Sequence, residues 1–141
     1  MGPLKLDDLS NQALLLLDSP PIIYFLEGHA AFGGRFTPLF EAHAAGRVRF
    51  AVTRITVAEV LIGPLQAKEE ALARRYRSIL ESWRPVGLDS DIAETAARLR
   101  ASLRLKWADA IQIASALAIN AAALVTHDRD FSRVQSLRVI S

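Results

Sequence analysis

Hydrophobic residues in this chain come in short runs, separated by longer stretches of helical period. The first run, Ala13-Leu14-Leu15-Leu16-Leu17, has no polar alternation and ends on Asp18. That is the mark of a strand buried on both faces. Val48, Phe50 and Val52 alternate along a second strand. Pro85 to Leu88 makes a short third strand, Ala121 to Thr126 a fourth and Leu137 to Ile140 a fifth. The intervals read as helices. Ser19 is expected to N-cap a short helix, with Pro20 and Pro21 in its first turn, ending near Gly28. Gly33-Gly34 marks a loop, and Thr37-Pro38 opens a second helix that stops around Gly46. Thr56 opens a third, interrupted by Gly63-Pro64, and helical pattern resumes from Leu65 to Trp83. Asp89-Ser90 caps a helix through Leu103, and another runs from Ala108 to Ile119.

Strands alternating with helices predict an α/β fold. The expected architecture is a three-layer α/β/α sandwich around a mainly parallel sheet of about five strands. There is no internal repeat and no low-complexity linker. A chain of 141 residues fits one domain. Residues 1–12 read as an N-terminal extension and 13–141 as the domain itself.

Composition narrows the function. With no cysteine, disulfides, thiolate metal sites and cysteine nucleophiles are excluded, which agrees with a cytoplasmic protein. No apolar run approaches the roughly 20 residues a membrane span needs. The N-terminus does not read as a signal peptide. Net charge is only +2, but 14 of the 17 basic residues are arginine, whose planar fork suits phosphate. This leans towards an anionic partner.

In parallel sheets function sits beyond the carboxyl ends of the strands. Asp18 directly follows the first strand, and Asp128 lies two residues beyond the fourth. Glu59 opens a helix after the second strand, and Asp109 opens the helix before the fourth. All four can meet at one rim. Each has a plainer explanation as well. Thr56-x-x-Glu59 forms a capping box. Asp109 in a first helical turn suits the macrodipole. Asp128 and Asp130 stand in a polar turn. Asp18 is hardest to explain as a cap, because Ser19 is better placed. Crowded carboxylates repel unless a cation neutralises them, and oxygen-only ligands favour Mg²⁺ or Mn²⁺. Such an ion suits phosphodiester cleavage.

The histidines show no metal-ligand spacing. His29 and His43 read as surface residues, and His127, beside Asp128, could touch substrate. Arg129 and Arg133 flank the same turn as possible RNA-binding residues. Trp107 is expected in the core, and Arg74, Arg75 and Arg77 on a solvated helix face. Neither a Walker lysine pattern nor a GxGxxG fingerprint is present.

Taken in order, these segments resemble the PIN-domain family, particularly VapC-type toxins of bacterial toxin–antitoxin pairs. The matching pieces are Leu-Leu-Leu-Leu-Asp18-Ser19, Thr53 to Val60, Leu88 to Arg100, Ala108-Asp109 to Ala118, and Ala123 to Phe131. The resemblance implies an endoribonuclease using Mg²⁺ or Mn²⁺, often a homodimer, neutralised by a small antitoxin protein. Carried over by position, Asp18, Glu59 and Asp109 match the central acids. Asp128 matches the fourth, with Asp130 a close second. Ser19 and Thr126 match hydroxyl positions that orient carboxylates or metal-bound water. Departures are Pro20-Pro21 where an asparagine is common, Arg104 where a glycine is usual, and the long N-terminus. Two other functions compete with this one: a PIN-fold binding module with little cleavage, and a phosphoacceptor using Asp18 as nucleophile. The latter lacks its Asp-x-Asp arrangement, since Pro20 occupies that position.

Overall fold

The computed structural model describes residues 3–128, 131 and 134–141. The elements run β1 (Ala13–Leu17), α1 (Ser19–Glu27), α2 (Gly33–Ala44), β2 (Val48–Thr53), α3 (Arg54–Gln66), α4 (Glu70–Ser82), β3 (Arg84–Val86), α5 (Ser90–Leu103), α6 (Trp107–Ala118), β4 (Ala123–Val125) and β5 (Val139–Ile140). The strands form one sheet in the order β3-β2-β1-β4-β5. Every pairing is parallel. All five expected strands are present.

The leucine run works as its pattern predicts. Leu15 and Leu17 point into one core, with Ile22, Phe36, Leu39, Val60 and Leu80 from α1 to α4. Leu14 and Leu16 point into the other, with Ile92 and Ala96 of α5 and Ile113 of α6. Successive side chains alternate faces, so a strand covered on both sides must be apolar throughout. The result is the expected α/β/α sandwich with β1 at its centre. After β1 the chain builds outward through β2 and β3, then crosses back to add β4 and β5 on the other side. Strand order therefore reverses between β1 and β4, the switch point at which such sheets open a crevice.

Several local expectations need correction, and in each case a tertiary contact overrides the residue's usual role. Gly33-Gly34 is not a loop but the first turn of α2. A Cβ on Gly33 would meet the Tyr24 carbonyl oxygen at 3.1 Å, so the glycine lets α2 start against α1. Gly63-Pro64 does not interrupt α3, which runs on to Gln66. A Cβ on Gly63 would lie 3.3 Å from Glu27 Oε1. The chain turns instead at Ala67–Glu69, with Lys68 left-handed at φ 58°. Trp107 is not in the core: it opens α6 and is 49% exposed. Arg104 takes the left-handed C-cap of α5 at φ 54°, a conformation that suits glycine. Arg74, Arg75 and Arg77 do lie exposed along α4, opposite its buried Ala73, Tyr76 and Leu80.

Residues preceding β1 are packed down. Leu9 is buried, with Leu4 and Leu6 against the same core. Arg138 donates to the Lys5 carbonyl (3.0 Å) and to Asp8 Oδ1 (2.8 Å). Among the described residues, no helix is long and apolar enough to cross a membrane.

Candidate functional site

Asp18 is only 8% exposed and stands where β1 stops. Its N–H donates to the Val125 carbonyl at 2.8 Å, which continues the β1–β4 ladder by one residue. Its carboxylate is held from three sides. Oδ1 accepts the Ser19 N–H (2.9 Å) and Gln112 Nε2 (2.9 Å), and Oδ2 accepts the Thr126 hydroxyl (2.9 Å).

The N-cap of α1 is Asp18, not Ser19 as expected. Capping does not account for this much bonding, however. Pro20 and Pro21 in the first turn carry no N–H, so α1 has few amides in need of a cap. Two of the three donors to Asp18 come instead from distant elements, 94 and 108 residues along the chain.

Gln112, to which its sequence context assigns no role, is part of the same network. It is 1% exposed within a helix otherwise buried through apolar and small residues. Its Nε2 donates to Asp18 Oδ1 and also to Thr56 Oγ1 at 2.8 Å. The hydroxyls of Thr56 and Thr53 are 3.2 Å apart. One amide thus ties the ends of β1 and β2 to α6. Gln112 Oε1 is buried and has no hydrogen-bond donor among the described residues. The available signal was spacing: Gln112 lies three residues after Asp109, on the same face of α6. A buried amide in an apolar helix also needs a polar partner.

Glu59 is half-buried in the second turn of α3. The capping-box reading fails, because the N-cap is Thr53, whose side chain accepts the Thr56 N–H at 3.1 Å. Thr56 is already inside the helix. Burial raises the Glu59 carboxyl above its ordinary value, and the nearby charge of Asp18 raises it further. A hydrogen bond from Ser19 pulls it partly back. Ser19 therefore serves both acids, Asp18 through its backbone N–H and Glu59 through its side chain.

Thr126 is fully buried. Its hydroxyl donates to Asp18 and accepts the Asp128 N–H at 3.1 Å, so the backbone of Asp128 is one bond removed from the site. Asp109 is half-buried in the first turn of α6, where the helix dipole favours it. It stands one turn before Gln112. Asp130, Arg129 and Arg133 lie outside the described residues.

The structure thus brings Asp18 and Glu59 into electrostatic contact and sets Asp109 and Asp128 on segments bonded to Asp18 or its partners. Among the described residues, no three His, Cys, Asp or Glu side chains are grouped as a metal cage. The donor chemistry still fits a small hard ion. Mg²⁺ is usually taken by one or two carboxylates, with water and substrate oxygens completing its shell. Asp18 Oδ2 accepts one bond among the described residues and has a lone pair suited to such a role.

The sequence model of the PIN domain family matches residues 15–137. The chain belongs to the PIN domain family. As a PIN domain it superposes on a chain of a toxin–antitoxin complex from Klebsiella pneumoniae with TM-score 0.72 and 26% identity, covering 90% of this chain and 96% of that one. The fold is shared with VapBC2 from Rickettsia felis, solved bound to a promoter DNA fragment (TM-score 0.70, 20% identity, 89% and 96% coverage). It is shared also with Mycobacterium tuberculosis VapC20, described as a Sarcin-Ricin loop cleaving toxin (TM-score 0.68, 15% identity, 84% and 93% coverage). Comparison with curated protein sequences gives no match. The parallel sheet of this PIN domain sets Asp18 at the end of β1 beside β4, where the strand order reverses.

Proposed function

We propose that this PIN-domain protein is a metal-dependent endoribonuclease and the toxin of a toxin–antitoxin pair. The observation that carries the reading is the buried Asp18 carboxylate, fixed by Ser19, Gln112 and Thr126 at the switch point, with Glu59 beside it. Structural similarity to the Klebsiella toxin–antitoxin complex supports the biological context. Asp18, Glu59, Asp109 and Asp128 are the residues proposed to hold Mg²⁺ or Mn²⁺, with Asp130 a further candidate. When bound, the ion supplies Lewis-acid activation of water and neutralises charge at phosphorus. The protein's own contribution is positional. Thr126 and Gln112 aim the Asp18 carboxylate, and Ser19 steadies Glu59. One of these acids also takes the proton from the attacking water, and Glu59, half-buried beside Asp18, is placed for that part. Arg129 and Arg133 are assigned to the RNA backbone. A cognate antitoxin that covers the acidic crevice, a homodimer and action in the cytoplasm complete the proposal.

The decisive experiment is cleavage of RNA with and without added Mg²⁺ or Mn²⁺. Asp18→Asn and Asp109→Asn should each lower metal-dependent cleavage by at least about 100-fold, with thermal unfolding still cooperative. Full activity in either purified variant overturns the assignment. If calorimetric titration detects no metal binding and cleavage stays absent, the protein is a nucleic-acid-binding module instead.

A further inference from the structure

A second cluster of side chains adjoins the Asp18 network and has no part in holding Asp18. His127 follows Thr126 directly, and Tyr24 lies on the helix that Asp18 caps. The Tyr24 hydroxyl and His127 Nδ1 are 3.3 Å apart. Phe32 packs edge-on to His127, with ring centroids at 4.5 Å. The His29 ring stacks on Phe32 at 5.3 Å, within 15° of parallel. Beneath them, Phe36 is fully buried and closes the floor. The upper rings remain open: His29 is exposed, and Tyr24, Phe32 and His127 are partly so.

The His29 ring is also held still. Its Nδ1 accepts the N–H groups of Ala31 and Phe32, both at 3.2 Å. An acceptor at Nδ1 leaves the ring proton on Nε2, available to a ligand. A flat surface fixed before binding loses little freedom when something stacks on it. The other aromatic group, Phe40, Phe50, His43 and Trp83, differs: Phe40 and Phe50 are buried within the core.

We infer that His29, Phe32, Tyr24 and His127 form a stacking platform for a nucleobase of single-stranded RNA, next to the acids that cut the backbone. The inference rests on the ribonuclease reading. Stacking on an aromatic face is tolerant of base identity, so the platform orders the strand without reading its sequence. Its position beside Asp128 means that a stacked base delivers its own phosphate to the crevice.

The test separates a ring from a turn. His29→Asn keeps a side-chain acceptor for the Ala31 and Phe32 amides but removes the ring. Phe32→Leu removes the second ring, and Phe32→Tyr retains it. Binding is measured by fluorescence anisotropy in an Asp18→Asn background, so that the RNA stays intact. The probes are a mixed-sequence single-stranded RNA and a ribose-phosphate chain of the same length without bases. His29→Asn and Phe32→Leu should weaken binding of the base-bearing RNA roughly 5–30-fold and leave the baseless chain unchanged. Phe32→Tyr should bind like its parent. Equal losses on both probes, or no preference for the base-bearing RNA in the parent, overturn the platform while the ribonuclease reading stands. If the parent binds neither probe and the wild-type protein cleaves no RNA, the reading fails and takes the platform with it.

Discussion

The two ends of the sheet bury titratable groups in opposite ways. At the carboxyl ends of the strands, Asp18 is surrounded by hydroxyl, amide and backbone donors, and Glu59 sits against it. At the amino ends, His43 lies flat on Phe50, ring centroids 4.1 Å apart, with Trp83 edge-on at 5.8 Å. Burial shifts both Glu59 and His43 towards their neutral forms: the Glu59 carboxyl rises and the His43 imidazole falls. Beyond that the ends diverge. Glu59 also feels a second carboxylate, a charge that the proposed metal would offset. At His43 the cause is desolvation. Space alone misleads here. A cleft of about 430 Å³ lies beside His43 and Trp83, and another of about 410 Å³ beside Pro85 and Ile92. Neither is lined by Asp18. What marks the carboxyl end is a polar network with unused bonding capacity.

Three substitutions probe this contrast. The largest effect is expected from Gln112→Leu, which keeps the volume and cuts the link from α6 to Asp18 and Thr56. Metal affinity, measured by calorimetry, should fall about 10–100-fold. Stability should change by only about 1 kcal/mol, because an amide oxygen that has no donor among the described residues is removed along with the two donated bonds. A large loss of stability with unchanged metal affinity would show that the network is structural.

Glu59→Gln should give a smaller and opposite effect in metal-free buffer. A carboxyl raised on folding costs stability above its folded value, where it must ionise in a poor environment, and costs nothing below the unfolded value. The variant should therefore melt higher by about 1–3 °C at pH 7.5 and match the wild type near pH 4. Added Mg²⁺ should stabilise the wild type more than the variant.

The smallest effect belongs to His43→Phe. The depressed His43 contributes stability that is complete above the unfolded imidazole value and is lost as pH falls through the lower folded value. The drop in Tm from pH 7.5 to pH 5.5 should shrink by about 1 °C in the variant. RNA cleavage should be untouched. A cleavage defect would join the two ends that the structure keeps separate.

The strands and Asp18 were legible because burial on both faces leaves an unmistakable apolar run with an acid at its end. The α2 and α3 boundaries were not. Gly33 and Gly63 look like punctuation, yet each is small in order to let another element approach. Trp107 misled because a large ring usually signals core. Gln112 stayed hidden because nothing local identifies the partner of a buried amide. Its carboxylate is 94 residues away in sequence. The Thr56-Glu59 spacing suggested a cap that the structure places three residues earlier, at Thr53.

The pairing of β1 with β4 bears on synthesis as well as architecture. Asp18 and the Thr126 that holds it are 108 residues apart, and the central strand acquires its second neighbour only when residues 123–125 arrive. A chain emerging from the ribosome therefore carries its first acid early but cannot surround it with its partners until β4 and Thr126 have been made. Truncated products that stop before β4 lack this arrangement altogether. On the ribonuclease proposal, the nascent chain gains the means to cut RNA only once β4 has joined the sheet.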